Sequence, residues 1–185
     1  MTAANTLLDR VLSSIRAGTA DERVGVGVIT ASARVFGARP VQEDVTIPTG
    51  FDAQAVALFE AIVEASFLIA TADGEFDEAE RDAFEAVITA AASGAVAGAD
   101  IHALVSDFAD QLAEDGLDVR MRRVGELVRR EEARREVLRV AALLAHVSGG
   151  VSDVERGALA KLAAALGQPG DAADRAIADV VAALG

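Results

Sequence analysis

The densest group of chemically useful side chains lies between residues 73 and 80, where Asp73, Glu75, Asp77, Glu78 and Glu80 place five carboxylates within eight positions. Hard cations such as Ca²⁺, Mg²⁺ or Mn²⁺ take oxygen ligands of this kind. Asp73 stands where one helix should end and Glu80 where the next should begin. Their carboxylates, with that of Asp77, could therefore converge across the turn as a metal site. The spacing is not that of an EF-hand: counted from Asp73, the sixth residue is Glu78 rather than Gly and the twelfth is Phe84 rather than Glu. A second use competes for the same residues. Asp77…Glu80 has the form of a capping box, in which the first side chain accepts from the amide three residues on and the Glu reaches back to the first amide. Glu75 and Glu78 would then face water. On the residues alone, both readings stay open.

Other chemistry finds little footing. The chain has no Cys, so disulfides, thiolate metal sites and Cys nucleophiles are excluded. His102 and His146 are the only histidines, and neither has a second His at ligand spacing, which argues against zinc. No Gly-x-Ser-x-Gly elbow or Walker loop occurs, and Gly25-Val26-Gly27 lacks the third glycine of a dinucleotide fingerprint. The expectation is a protein that is not an enzyme.

A net charge of −13 disfavours nucleic acid as a partner. Residues 118–139 run against the trend, with eight arginines facing five carboxylates for a local +3. That strip could receive an acidic partner. The plainer reading is a solvated helix face with internal pairs such as Glu126–Arg130 and Glu131–Arg135. The single Lys161 against sixteen Arg, in an Ala-, Gly- and Val-rich chain, suggests a GC-rich bacterial source.

The elements that must hold these side chains are helices. Seven Phe with no Tyr or Trp leave Ala, Leu and Val to fill the interior, and small side chains suit close helix packing. Leu7, Leu8, Val11, Leu12 and Ile15 give helical spacing over residues 4–17. Residues 22–37 read two ways: Val24, Val26 and Val28 alternate with glycines as in a strand, yet Val24, Val28, Ala31 and Val35 share a helix face, and helix is favoured because a lone strand has no mate. Pro40, Pro48 and Gly50 mark 38–50 as a connector. Asp52 caps the next helix, with a Phe51–Val56 staple, running to about Ala72. A helix opened by Asp77 ends near Ser93-Gly94. Asp100 caps another, stopped by Gly116. Met121, Val124, Leu127 and Val128 form a short helix; Val137, Leu138, Ala141 and Leu144 belong to the next. Ser152 opens one stopped by Gly167 and Pro169, and Asp171 caps the last, with Ile177, Val180, Val181 and Leu184 inward. No signal peptide is visible, and the apolar runs are too short or too interrupted by charge to span a bilayer. A cytoplasmic location follows.

The chain resembles itself at an offset of 75 residues. Ile62-Val63 falls on Val137-Leu138, Ile69-Ala70 on Leu144-Ala145, Gly74 on Gly149, Phe76 on Val151, and Glu80-Arg81 on Glu155-Arg156. The loops read Ala-Asp-Gly-Glu-Phe-Asp-Glu-Ala-Glu over 72–80 and Val-Ser-Gly-Gly-Val-Ser-Asp-Val-Glu over 147–155. Gly74 and Gly149 end a helix in the left-handed region. Phe76 and Val151 plug the space between paired helices, and Asp77…Glu80 and Ser152…Glu155 are capping boxes. The expected fold is all-α: a compact pseudo-twofold bundle of seven to nine helices built on two helix–acidic loop–helix repeats, about 55–92 and about 130–167. Residues 1–50 form a helical extension and connector, and 51–185 the bundle proper, closed by a final helix at 171–184.

The stretch Ala72-Asp73-Gly74-Glu75-Phe76-Asp77-Glu78-Ala79-Glu80 resembles the Ala-Asp-Gly-x-hydrophobic-Ser/Asp-x-x-Glu signature of the tellurite-resistance TerB-like family, which carries it twice. Leu138-Arg139-Val140-Ala141…Glu155…Leu166-Gly167 is similar to the second copy, and the resemblance covers roughly residues 51–167. It implies a seven-or-more-helix domain acting in bacterial tellurite and stress resistance with protein partners near the inner membrane. It also implies divalent-cation binding by acidic residues, here Asp73, Asp77 and Glu80. Ser148 stands where the family has Asp, which counts against a second cation site. The alternative is a structural adaptor with the same fold, no metal and no role with tellurite.

Overall fold

The structure, a computed structural model, describes residues 10, 13, 28–39, 52–74, 76–147 and 150–184. The helix expected over 4–17, the Phe51 staple, and residues Glu75, Ser148 and Gly149 lie outside the described residues, apart from helical Arg10 and Ser13. Eight helices occur among the described residues: α1 (Val28–Gly37), α2 (Ala53–Ala70), α3 (Glu78–Ala91), α4 (Gly98–Asp115), α5 (Leu117–Leu127), α6 (Glu131–Val147), α7 (Asp153–Ala165) and α8 (Ala172–Leu184). No strand is present among them.

The bundle is organised around α2. Asp52 accepts from the amides of Gln54 and Ala55 and starts the helix, and from Leu58 to Ile69 every residue except Glu60 is buried. Around it pack α1, α4, α5, α6 and α7, while α8 lies against α6 and α7. By length and composition alone α2 could cross a membrane. Glu60 and Glu64 interrupt that apolar run, as the sequence showed. In this fold its apolar surface is covered by other helices instead.

Two glycines permit backbone contact that any side chain would block. A Cβ at Gly125 in α5 would sit 2.1 Å from the carbonyl oxygen of Ala165, and one at Gly37 would sit 1.8 Å from that of Ala95. The first seats α5 against α7 and the second docks the end of α1 on the turn after α3. Thr30 adds a buried hydrogen bond from its hydroxyl to the Ala91 carbonyl at 2.9 Å. The side chains Ile29, Ala33 and Phe36 of α1 belong to the same core as α2–α8.

Several local expectations are corrected. The buried face of α1 is Ile29, Ala33 and Phe36, not Val28, Ala31 and Val35, which are only partly covered. Asp100 does not cap α4: the helix starts at Gly98 after Ala97, with no side-chain cap, and Asp100 sits in its first turn, where the helix dipole favours it. Val181 faces solvent at 49% exposure, because α8 presents Val180 inward instead. Glu126 and Arg130 are not a helical pair, since α5 ends between them, whereas Glu131 and Arg135 do pair at 3.2 Å.

The arginine strip is not uniformly a solvated face. Arg120 is 6% exposed, and its Nη2 lies 2.6 Å from Oε1 of Glu64, itself 2% exposed in the middle of α2. Its Nη1 reaches Asp115 at 3.2 Å. Arg139 grips buried Glu136 through two hydrogen bonds of 2.9 and 2.7 Å. The remaining arginines of the strip lie at or near the surface.

Candidate functional site

The two bends expected to do the chemistry are built alike at their caps. In the first, α2 ends at Thr71, whose amide turns back to Phe67 and Ile69. Gly74 takes φ +86° and donates its amide to the Thr71 carbonyl at 3.1 Å. Asp77 then opens α3: its Oδ1 accepts from the Glu80 amide at 2.8 Å, and its own amide donates to Glu80 Oε2 at 3.1 Å. In the second bend, the Ser152 hydroxyl accepts from the Glu155 amide at 3.2 Å and the Ser152 amide donates to Glu155 Oε2 at 2.8 Å. Both boxes are thus complete. The left-handed residue seen in the second bend is Gly150, at φ +99°.

Phe76 and Val151 both pack against the core while staying partly exposed. Phe76 meets Phe67 edge-on at 5.5 Å and Phe84 at 6.1 Å. Phe67 in turn lies 6.5 Å from Phe108 of α4. Edge-to-face contacts of this kind are worth about 0.5–1.5 kcal/mol beyond the area they bury. They hold the first bend against α2 and α4.

The two bends open onto one cleft of about 470 Å³. From the first come Asp73, Phe76, Asp77, Ala79, Glu80, Ala83, Phe84 and Val87, with Ala70 at the end of α2; from the second come Gly150, Ser152 and Glu155, with Leu144 of α6. The space exists because α3 does not close on α6. Its main helical neighbour is α4, whereas α7 packs on α2, α5, α6 and α8. Small side chains at 79 and 83, one helical turn apart on exposed positions, keep the near wall low.

The three expected metal ligands, Asp73, Asp77 and Glu80, all line this cleft. They are not gathered as an ion site: among the described residues no group of three or more His, Asp or Glu side chains is placed to hold a metal. Capping is the physical reason for two of them, since Asp77 and Glu80 each commit an oxygen to a backbone amide. Glu78 is exposed, as expected. His102 is exposed and shares its Nδ1 with Glu85 at 3.1 Å, and His146 is half-buried at the end of α6.

The sequence assigned Phe84, Val87 and Leu144 to the core, and there they are buried; it did not single out Ala79 and Ala83 as the wall of a cleft. The available signal was the alanine pair at i, i+4 beside Glu80. A second hollow, of about 650 Å³, also touches Phe76 and is lined by charges of both signs, Arg81 with Glu78 and Asp82, and by His102.

No family model matches this chain, and no curated protein or solved structure is significantly similar to it.

Proposed function

We propose that this chain is a non-enzymatic interaction module of the TerB-like kind, cytoplasmic and acting in bacterial tellurite and stress response. Its working surface is the cleft between the two capped bends. The observation that carries this reading is the convergence of both bends, with matching capping boxes, on one cleft. That duplication is what the family signature implies, and a pseudo-twofold relation between α2–α3 and α6–α7 accounts for it. The cleft combines a few polar groups with an apolar lining, the usual make-up of a recognition site.

The test is genetic. Deleting the gene in the host that encodes it should lower tolerance to tellurite, and the wild-type chain should restore it. Unchanged tolerance after deletion would remove the stress-response role.

Divalent-cation binding at Asp73, Asp77 and Glu80 belongs to the same proposal and has its own test. Calorimetry with Ca²⁺, Mg²⁺ and Mn²⁺ on wild type and on the Asp73→Ala/Glu80→Ala variant decides it: heat for the former alone would establish that site. One observation favours a second reading, a metal-free structural adaptor: no carboxylate group of ion-binding arrangement exists among the described residues. Absence of heat with all three ions would select that reading.

A further inference from the structure

We infer that the cleft between the bends receives a cationic, amphipathic helix of a partner protein, with an apolar side chain in the cleft and Lys or Arg side chains at its rim. The inference rests on the interaction-module reading and names the chemistry of the partner.

Charge complementarity is the first argument. Among the described residues every charged side chain lining the cleft is a carboxylate: Asp73, Asp77, Glu80 and the buried Glu155. No described arginine lines it. Three of these carboxylates are fixed before any partner arrives. Asp77, Glu80 and Glu155 each hold one oxygen on a cap amide, at 2.8, 3.1 and 2.8 Å. Side chains already held in place lose little further rotamer freedom on binding, so their charge is offered at low entropic cost.

The geometry also distinguishes between kinds of cation. Among the described residues no three carboxylates are placed to hold a metal ion. An ammonium or guanidinium needs only one or two carboxylates at a time, which the exposed Asp73, Asp77 and Glu80 of the cleft can supply.

The lining supplies the second argument. Partly exposed Phe76 presents apolar surface between the two bends, backed by the buried Phe84, Val87 and Leu144, and the exposed Ala79 and Ala83 leave room beside it. A fully hydrated cation has no use for such a surface. An amphipathic helix has, because it presents apolar anchors at i, i+3 and i+4 with cationic side chains flanking them.

The experiment uses the full chain and a labelled, amidated helical peptide of Lys, Leu and Ala about 14 residues long, near four turns. Two control peptides replace Lys by Glu or Leu by Ser. Fluorescence anisotropy is measured at near-physiological salt, about 0.15 M, where weak long-range attraction is largely screened. Two single-site variants decide the location. Ala83→Arg places a cation and bulk in the cleft. Ala160→Arg makes the same charge change at an exposed position of α7 outside it. Both sit on exposed helical faces, and thermal melts confirm that they fold.

The expected result is binding of the Lys/Leu peptide alone, weakened about tenfold or more by Ala83→Arg and less than about twofold by Ala160→Arg. Equal loss in the two variants would show general charge attraction and overturn the proposal. So would binding of either control peptide, or no binding to wild type. The tellurite phenotype is read separately. A phenotype without peptide binding would sink the partner chemistry and keep the module; peptide binding without a phenotype would do the reverse.

Discussion

Replacing Arg120 by Met tests what holds α5 against α2. Glu64 is 2% exposed and Arg120 6%, and the guanidinium gives Glu64 Oε1 contacts of 2.7 Å from Nε and 2.6 Å from Nη2. Burial pushes the Glu64 carboxyl above its ordinary pKa, while the hydrogen bond and charge of Arg120, with Arg123 behind it, pull it back. Desolvation wins even with the partner present. Removing the guanidinium removes the main opposing influence and leaves a carboxylate in the core with only the charge of Arg123 to offset its burial. Breaking a buried pair from one side costs about 3–5 kcal/mol. Met keeps much of the aliphatic stem's volume, so little of that loss comes from a cavity.

The pH dependence separates this cause from simple mispacking. A carboxyl whose folded pKa lies above its unfolded one contributes fully below the unfolded value and loses that contribution as pH rises through the folded value. In Arg120→Met the folded pKa of Glu64 climbs further. The destabilisation should therefore be smallest at low pH and grow by up to about 1.4 kcal/mol per pH unit between the two pKa values. Urea unfolding followed by circular dichroism at about pH 4.5, 6 and 7.5 would measure it, these points spanning the range in which such a carboxyl titrates. Wild type, Arg120→Met, Glu64→Leu and the double variant complete a cycle, and the double should recover most of the single loss. A cost below about 1 kcal/mol, flat in pH, would refute the reasoning, because an exposed pair behaves that way.

Three further outcomes follow from the structure. Gly125→Ala places a Cβ 2.1 Å from the Ala165 carbonyl, so it should destabilise by about 1–3 kcal/mol despite the better helix propensity of Ala, read as a lowered urea midpoint. Asp77→Ala and Ser152→Ala each remove one cap of a complete box and should each cost about 1 kcal/mol in the same assay. Lys161 donates to Asp118 at 2.8 Å and holds that carboxyl below its ordinary pKa, first through the hydrogen bond and then through charge. Lys161→Met should move the Asp118 titration midpoint upward in NMR. The small stabilisation the pair lends above the unfolded pKa, lost as pH falls through the folded one, should vanish with it.

The features legible in the sequence are those set by neighbours along the chain. Both capping boxes, the left-handed Gly74, the stop at Gly116 and the start of α2 at Asp52 depend on residues two to four apart, and their side-chain types announce them. Helix orientation was less legible wherever both faces are apolar. In α1, Val28, Ala31 and Val35 make as plausible a stripe as Ile29, Ala33 and Phe36, and only packing on α2 selects the second. Val181 was misassigned for the same reason: a valine on an Ala-rich helix does not say which side has a neighbour. Glu64 and Arg120 lie 56 residues apart, so no local pattern pairs them. The only hint was a lone glutamate inside the run Ile62-Val63-Glu64-Ala65-Ser66-Phe67, which no exposed face could explain.

The candidate site was half legible for a related reason. Its carboxylates were found because capping is local, and the same locality misled, since a residue committed to an amide is less available to an ion. The cleft itself arises from a difference between the two units that their matching sequences conceal. In the second, α7 lies against α2; in the first, α3 makes no comparable packing with α6 and leans on α4 instead. Four phenylalanines explain the lean. Phe67, Phe76, Phe84 and Phe108 draw the first bend and α3 toward α4, while the corresponding second-unit positions carry the smaller Ala142, Val151 and Leu159. Aromatic rings thus hold α3 away from α6 and keep the cleft open. On this argument Phe108 controls the cleft without touching it. Phe108→Ala should let α3 shift and weaken the peptide contact, whereas a change confined to the rim would leave the position of α3 unaltered.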